Sequence, residues 1–265
     1  PRATTSVVAP RSPNTASSSA RWWRDLLGGT SSVTSTGPFA VGTARVATRR
    51  LRSALRTFRD VLEPSWAASL RDALRWLADD LGAVRDAEVL RDRIRSREPL
   101  LPESDRQSLV DLLKTLEDTR DEARDRLLEG MRSPRYVSLL EDLVAAAREP
   151  RVLEEIADER AASALLPTLD APWKHLKSAL DQASEDPSDA SLHGARIRAK
   201  RVRYAAEAVT PVFGKRAANL AKAAADLQEV LGEHQDSVVA RAWLREVAEE
   251  GSSAFVAGEL SAIEA

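Results

Sequence analysis

Five arginines, Arg45, Arg49, Arg52, Arg56 and Arg59, follow one another at intervals of four, three, four and three residues. In a helix of 3.6 residues per turn, that spacing gathers them on one narrow face. No acidic residue falls between Arg45 and Arg59, so none of the five has an i,i+4 partner within its own segment. Guanidinium groups stacked a turn apart repel one another. Carboxylates on neighbouring helices or an external polyanion must therefore neutralise them. A second set, His193, Arg196, Lys200 and Arg203, repeats the pattern, with Glu207 standing where the first set has Arg56. His193 lies at the expected start of its helix, where free backbone N–H groups favour anions. Arginine dominates both stripes, and its rigid fork of donors suits phosphate oxygens better than an ammonium does. Arg50 falls off the first stripe and is expected to face solvent.

Other chemistries have less to work with. The 265-residue chain has no cysteine, which excludes disulfides, thiolate metal sites and thiol nucleophiles. His175, His193 and His234 are too far apart in sequence to suggest a metal site. No glycine-rich phosphate loop is present. Asp86 and Asp236 follow helix-breaking glycines, where capping or pairing with an arginine is the expected role rather than acid–base catalysis. Trp66, Trp76, Trp173 and Trp243 lie on helical apolar faces and are expected in the core, as is Tyr204. No cofactor is expected.

The net charge of −2 argues against a globally basic nucleic-acid binder, yet it averages over the two basic stripes and an acidic excess across residues 101–160. No apolar run reaches the roughly 18 residues that span a bilayer, and the start of the chain lacks the apolar core of a secretory signal, so a cytoplasmic protein is expected.

The stripes need helices to hold them. Residues 1–38 are rich in Ser, Thr, Pro and Gly and read as a disordered segment. From there an all-α domain is expected over 39–265. Its helices fall at about 40–62, 66–81, 84–97, 103–131, 135–148, 151–166, 172–184, 189–213, 215–231, 234–249 and 253–263, broken at prolines and glycines such as Pro64, Gly82, Pro150, Gly214 and Gly232. One long-range repeat stands out. Ala44 to Arg52 lines up with Ala195 to Arg203, and Leu81-Gly82-Ala83-Val84-Arg85-Asp86 with Leu231-Gly232-Glu233-His234-Gln235-Asp236, at nearly the same offset. Two related halves follow, about 39–165 and 166–265, each turning its basic helix toward a shared centre.

At these residues the chain resembles the CHAD family, the conserved histidine α-helical domain. The segment from Arg45 to Arg59, the segment from His193 to Tyr204, and the Leu-Gly…Asp stretches ending at Asp86 and Asp236 match its motifs in order. The family pattern opens with a histidine where this chain has Gly42, and the internal repeat exposes the same gap by setting Gly42 against His193. The resemblance implies two pseudo-symmetric antiparallel helical bundles around a basic central cavity. It also implies binding of inorganic polyphosphate, association with polyphosphate granules and no catalytic activity. Binding roles carry over to Arg45, Arg49, Arg52, Arg56, His193, Arg196, Lys200 and Arg203, with Lys174 and Lys177 matching a weaker basic segment; Arg75 and Arg135 have less support. Two rival readings stay open: a nucleic-acid binder, disfavoured because the stripes lack interleaved aromatics, Asn and Gln, and a scaffold whose stripes merely pair with the acids of 101–160.

Overall fold

The computed structural model describes residues 38–157, 161–250 and 253–264; the segment read as disordered falls, but for Pro38, outside the described residues. Among these the elements are helical, apart from one isolated bridge between Leu62 and Val152. The described residues form the α-helical segments α1 (Pro38–Thr57), α2 (Pro64–Arg95), α3 (Arg106–Arg132), α4 (Pro134–Arg148), α5 (Glu154–Ala157), α6 (Ala161–Leu165), α7 (Pro167–Glu185), α8 (Asp189–Phe213), α9 (Lys215–Glu250) and α10 (Ala254–Ile263).

Local signals start and stop them. Pro64 stands in the first turn of α2, and the Glu63 carboxylate accepts from the backbone N–H groups of Ser65 and Trp66 at 3.1 and 3.3 Å. Ser188 caps α8 by accepting from Ser191 N–H at 3.3 Å, and Gly214, at φ 58°, stops that helix in a conformation that suits glycine.

Two expected breaks do not occur. Gly82 lies inside the 32-residue α2 and Gly232 inside the 36-residue α9. A glycine costs a helix only about 1 kcal/mol, and on α2 the flanking Leu77, Leu81 and Val84 are buried in the core, which outweighs that cost. Of the expected helix over 151–166, residues 151–153 are not helical and α5 begins only at Glu154, because Arg151 and Leu153 are tied to the turn after α1: Glu63 N–H donates to Arg151 C=O at 2.9 Å and Leu153 N–H to Val61 C=O at 3.1 Å. That turn also ends α1 at Thr57 rather than near residue 62. Pro172 sits within α7 and does not start it.

Three clusters form the core. The largest joins α1 and α2 to α3, α4 and α8 through Leu55, Phe58, Leu62, Leu74, Leu81, Leu127, Leu139 and Val209, each at most 1% exposed. Burying side chains of this size contributes roughly 1.5–3 kcal/mol apiece before entropy is charged. A second cluster packs α3 and α9 against α10 through Leu109, Leu112, Leu244, Val256 and Leu260. The third sets α8 between α7 and α9 through Leu176, Ala199, Val202 and Ala224. Trp66, Trp76 and Trp243 pack partly buried against the clusters, but Trp173 is 50% exposed on the outer face of α7 and is not a core residue.

A buried ionic knot closes the second cluster. The Glu264 side chain is fully buried and accepts from Arg93 Nε at 2.8 Å and Arg97 Nε at 2.7 Å, and Ser237 Oγ donates to its backbone carbonyl. Burial alone raises the carboxyl pKa, but the two guanidiniums outweigh it and hold the pKa below the usual glutamate range. Glu264 therefore adds stability above its unfolded pKa, and the contribution is lost as pH falls through the lower folded value. Glu264→Ala leaves Arg97 without a carboxylate among the described residues and Arg93 with only the exposed Glu233. Discounting the usual cost because both arginines reach solvent, it should cost about 2 kcal/mol, read as a lower midpoint in chemical denaturation.

Candidate functional site

Helices α1, α2 and α8 enclose a cavity of about 380 Å³, within the roughly 300–1,000 Å³ range of small-ligand sites. Arg45, Arg49, Arg52 and Arg56 enter it from α1, Arg71 from α2, and Lys200 and Arg201 from α8; Ser53, Ala78, Gly82, Ile197 and Tyr204 fill between them. Against these seven cations stands one lining carboxylate, Asp86.

The α1 stripe takes its position from the opposite side of its helix. Leu51, Ala54, Leu55 and Phe58 are buried and lock the rotation of α1, so the arginine face must turn to the cavity. Among the described residues no carboxylate lies within ion-pair distance of Arg45, Arg49, Arg52 or Arg56, and the Nε atoms of Arg45 and Arg49 are buried without a hydrogen-bond partner. Arg49 lies over the Tyr204 ring at 5.2 Å. None of the described acids of 101–160 pairs with the stripe; Glu117 meets Arg95 and Asp121 meets Arg120 instead. Arg59 lies beyond the end of α1 and pairs with Asp60 at 3.3 Å.

The crowding of like charge registers on the groups themselves. Burial, and then the fields of Arg49, Arg196, Arg45 and Arg52, push the Lys200 ammonium down to about 8. Burial followed by Arg201, Arg71, Arg52 and Arg59 lowers Arg56, all of those neighbours being cations. Arg45 is lowered by burial, Arg49 and Arg85, with Asp86 opposing.

The second stripe is only partly assembled at the cavity. Of His193, Arg196, Lys200 and Arg203, only Lys200 lines it. Taking 100° per residue, Ile197, Lys200, Arg201 and Tyr204 share one sector of α8, and Arg196 and Arg203 lie together just beyond its Lys200 edge. The rotation of α8 is set by its buried residues Ala195, Ala199, Val202, Ala206 and Val209, which pack between neighbouring helices. His193 Nδ1 meets Gln235 Oε1 at 2.6 Å instead. Arg196, its Nε buried and unpartnered, stays close enough to depress Lys200. Arg203 donates to Glu207 at 2.8 Å, and Glu207 also meets Arg50 at 3.7 Å, so these two arginines are already neutralised.

The weaker candidates lie apart. Lys174 and Lys177 are exposed on α7. Arg75 pairs with Asp72 at 2.8 Å, and Arg135 stacks on Trp76 at 5.0 Å. Asp86 and Asp236 cap nothing, because α2 and α9 run through them. Three cavity residues escaped the sequence reading: Arg71, Arg201 and, as a cavity wall, Tyr204. For Arg71 a signal exists, since Arg71, Ala78, Gly82 and Asp86 recur at intervals of seven, four and four, a row whose small members leave open space. Gly42, in the histidine position of the first motif, is exposed, and a side chain added there would meet nothing within 4 Å.

Comparison with known proteins agrees with this architecture. The CHAD domain family matches residues 23–245. An uncharacterised protein of Mycobacterium tuberculosis is 38% identical over 214 residues, covering 76% of this chain; the chain spans only 39% of that relative's length. Among solved structures, PptA from Streptomyces chartreusis superposes with a TM-score of 0.76 at 22% identity, over 94% of this chain and 92% of that one. The CHAD domain from the plant Ricinus communis superposes with a TM-score of 0.66 at 27% identity, over 92% and 84%. With its helical fold, its ordered motifs and this match across most of its length, the chain belongs to the CHAD domain family.

Proposed function

We propose that the cavity binds inorganic polyphosphate, through Arg45, Arg49, Arg52, Arg56, Arg71, Lys200 and Arg201, and performs no reaction on it. The observation that carries this is the convergence of seven cations on one cavity with a single carboxylate among them. A fold does not spend stability on such repulsion without a return, and a chain of phosphate groups supplies the missing anions at short, regular intervals. Charge-assisted bonds from arginine forks to phosphate oxygens are the strongest hydrogen bonds available at such a site. Arg196 extends the positive field beyond the lining residues, close enough to act on Lys200. The same reading places the protein in the cytoplasm, at polyphosphate granules. It also takes α1 and α8 as equivalent elements of two related halves. Support comes from Gly82 and Gly232, each set inside a long helix, and from Asp86 and Asp236, whose charges interact.

Nucleic acid is the weaker reading. Among the described residues Tyr204 is the one aromatic on the cavity wall, and it is buried, with Arg49 and Arg203 over its ring at 5.2 and 5.6 Å, leaving no open face for a base. Polyphosphate affinity should fall steeply as salt rises, with a log–log slope of about −3.5 to −5.4 if five or six phosphates are neutralised. Binding isotherms between low and moderate ionic strength measure it; a flat response contradicts multi-arginine binding.

A further inference from the structure

The cavity is not uniformly positive along its length. At one end, Arg56 faces Arg71 and Arg201, and the neighbours that act on it are all cations. At the other end, burial and then Arg49 and Arg85 lower Arg45 as well, but here Asp86 on the cavity wall opposes them, and Asp86 in turn interacts with Asp236 on α9. Asp236 feels Arg196 and Arg93 and the like charge of Glu233. The end of the stripe at Arg45 thus runs into a mixed cluster of carboxylates and guanidiniums, whereas the end at Arg56 opens with no carboxylate on its wall. To the side, Glu207 occupies Arg203 and Arg50 and removes them from the track.

This polarity does not follow from the need to bind a polyanion, which an asparagine at position 86 would serve better. Asp86 makes no ion pair within 4 Å among the described residues, so holding a partner in place does not account for it either. A carboxylate on the wall of an anion site costs affinity for every phosphate seated next to it, and it does so at one place only.

Resting on the polyphosphate reading, we propose that Asp86 is a specificity-determining residue that marks the inner limit of the polymer track, so that the chain is seated from the Arg56–Arg71–Arg201 end and stops short of the carboxylate beyond Arg45. The ligand class that follows is a linear phosphate polymer held by a short run of its units, with the rest of the chain leaving past Arg56.

The test compares the full chain with Asp86→Asn and Asp86→Ser, and with Asp72→Asn as a control that removes the same charge from an exposed position on the same helix, outside the cavity. Each is titrated with sodium polyphosphate over a range of salt, after thermal melting has established that it is folded. Removing one like charge beside the bound polymer should tighten binding roughly three- to tenfold. Seating one more phosphate should steepen the salt slope by about 0.7–0.9. Asp72→Asn should stay within about twofold of the parent. Unchanged or weaker binding by the Asp86 variants, or equal tightening by Asp72→Asn, overturns the proposal while leaving polyphosphate binding intact. Failure of the parent chain to bind polyphosphate overturns the underlying reading, and this inference with it. The two variants at position 86 keep the test decisive if one of them misfolds.

Discussion

Replacing Arg49 and Arg52 together by alanine is expected to weaken polyphosphate binding by roughly 100-fold, whereas Arg50→Ala should change it by no more than about threefold. Each of the paired arginines can donate charge-assisted bonds worth about 1.5–3 kcal/mol, and every 1.4 kcal/mol is a factor of ten. Arg49 and Arg52 line the cavity, while Arg50, one residue from Arg49 and two from Arg52, is exposed and meets Glu207. The contrast separates geometry from net charge, since a general electrostatic effect would scale with the number of charges removed. Titration calorimetry gives the affinities. Thermal melting gives a second readout: polyphosphate should raise the Tm of the parent and of Arg50→Ala, and hardly shift that of the double variant. Equal losses from all three positions would mean that the assigned face of α1 does not meet the ligand.

The second large effect concerns protons. Lys200 is held near 8 in the ligand-free protein, well below an ordinary lysine, first by burial and then by the arginines around it. Its folded pKa lies below its unfolded one, so between about 8 and 10.5 the unfolded chain holds more protons at this position. The stability of the empty protein therefore gains from Lys200 as pH rises through that window; below it the cost of the buried charge is fully present. Bound phosphates reverse the local field and draw the ammonium back toward its usual range. Binding at about pH 8.5–9 should thus take up a substantial fraction of one proton, and affinity should decline as pH rises through and beyond that range. Calorimetry in two buffers of different ionisation enthalpy measures the uptake directly. Lys200→Met should abolish it and weaken binding. Lys200→Arg should abolish it while keeping binding, since a guanidinium stays charged throughout. Identical heats in the two buffers would contradict the account.

How far the site could be read from residues alone differs between its two principal helices. The α1 stripe was legible because it is a local property: an uninterrupted 4-3-4 arginine spacing beside an apolar face leaves only one way to turn the helix. The α8 stripe was harder. Aligning it on α1 selects Arg196 and Arg203 with Lys200, yet α8 is packed along much of its surface, with Ala195, Ala199, Val202, Ala205 and Ala206 buried. Tertiary packing therefore sets its rotation, bringing Arg201 and Tyr204 to the cavity. Arg71 was hidden for a similar reason. A lone arginine beside Asp72 looks like a surface residue until the small row of Ala78 and Gly82 is placed opposite α1. The same row shows why Gly82 was misread: a glycine in a helical pattern signals a break, but here it sits on the cavity wall within a continuous helix. The all-helical architecture followed from composition and period. The exact joints did not, because Gly232 lies within a helix held by long-range packing, and the segment after Pro150 is pulled out of helix by its bonds to the turn at Val61 and Glu63.

Unneutralised cations on facing helices are what everything else depends on. Titrating the full chain, in one buffer at one moderate ionic strength, with polyphosphate, duplex DNA and single-stranded RNA at matched phosphate concentration tests them most directly. Polyphosphate should bind at least tenfold more tightly than either nucleic acid, since its bare phosphate chain can enter a cavity whose one aromatic wall is already covered by Arg49. Comparable affinity for all three, or no heat with polyphosphate, would contradict the account.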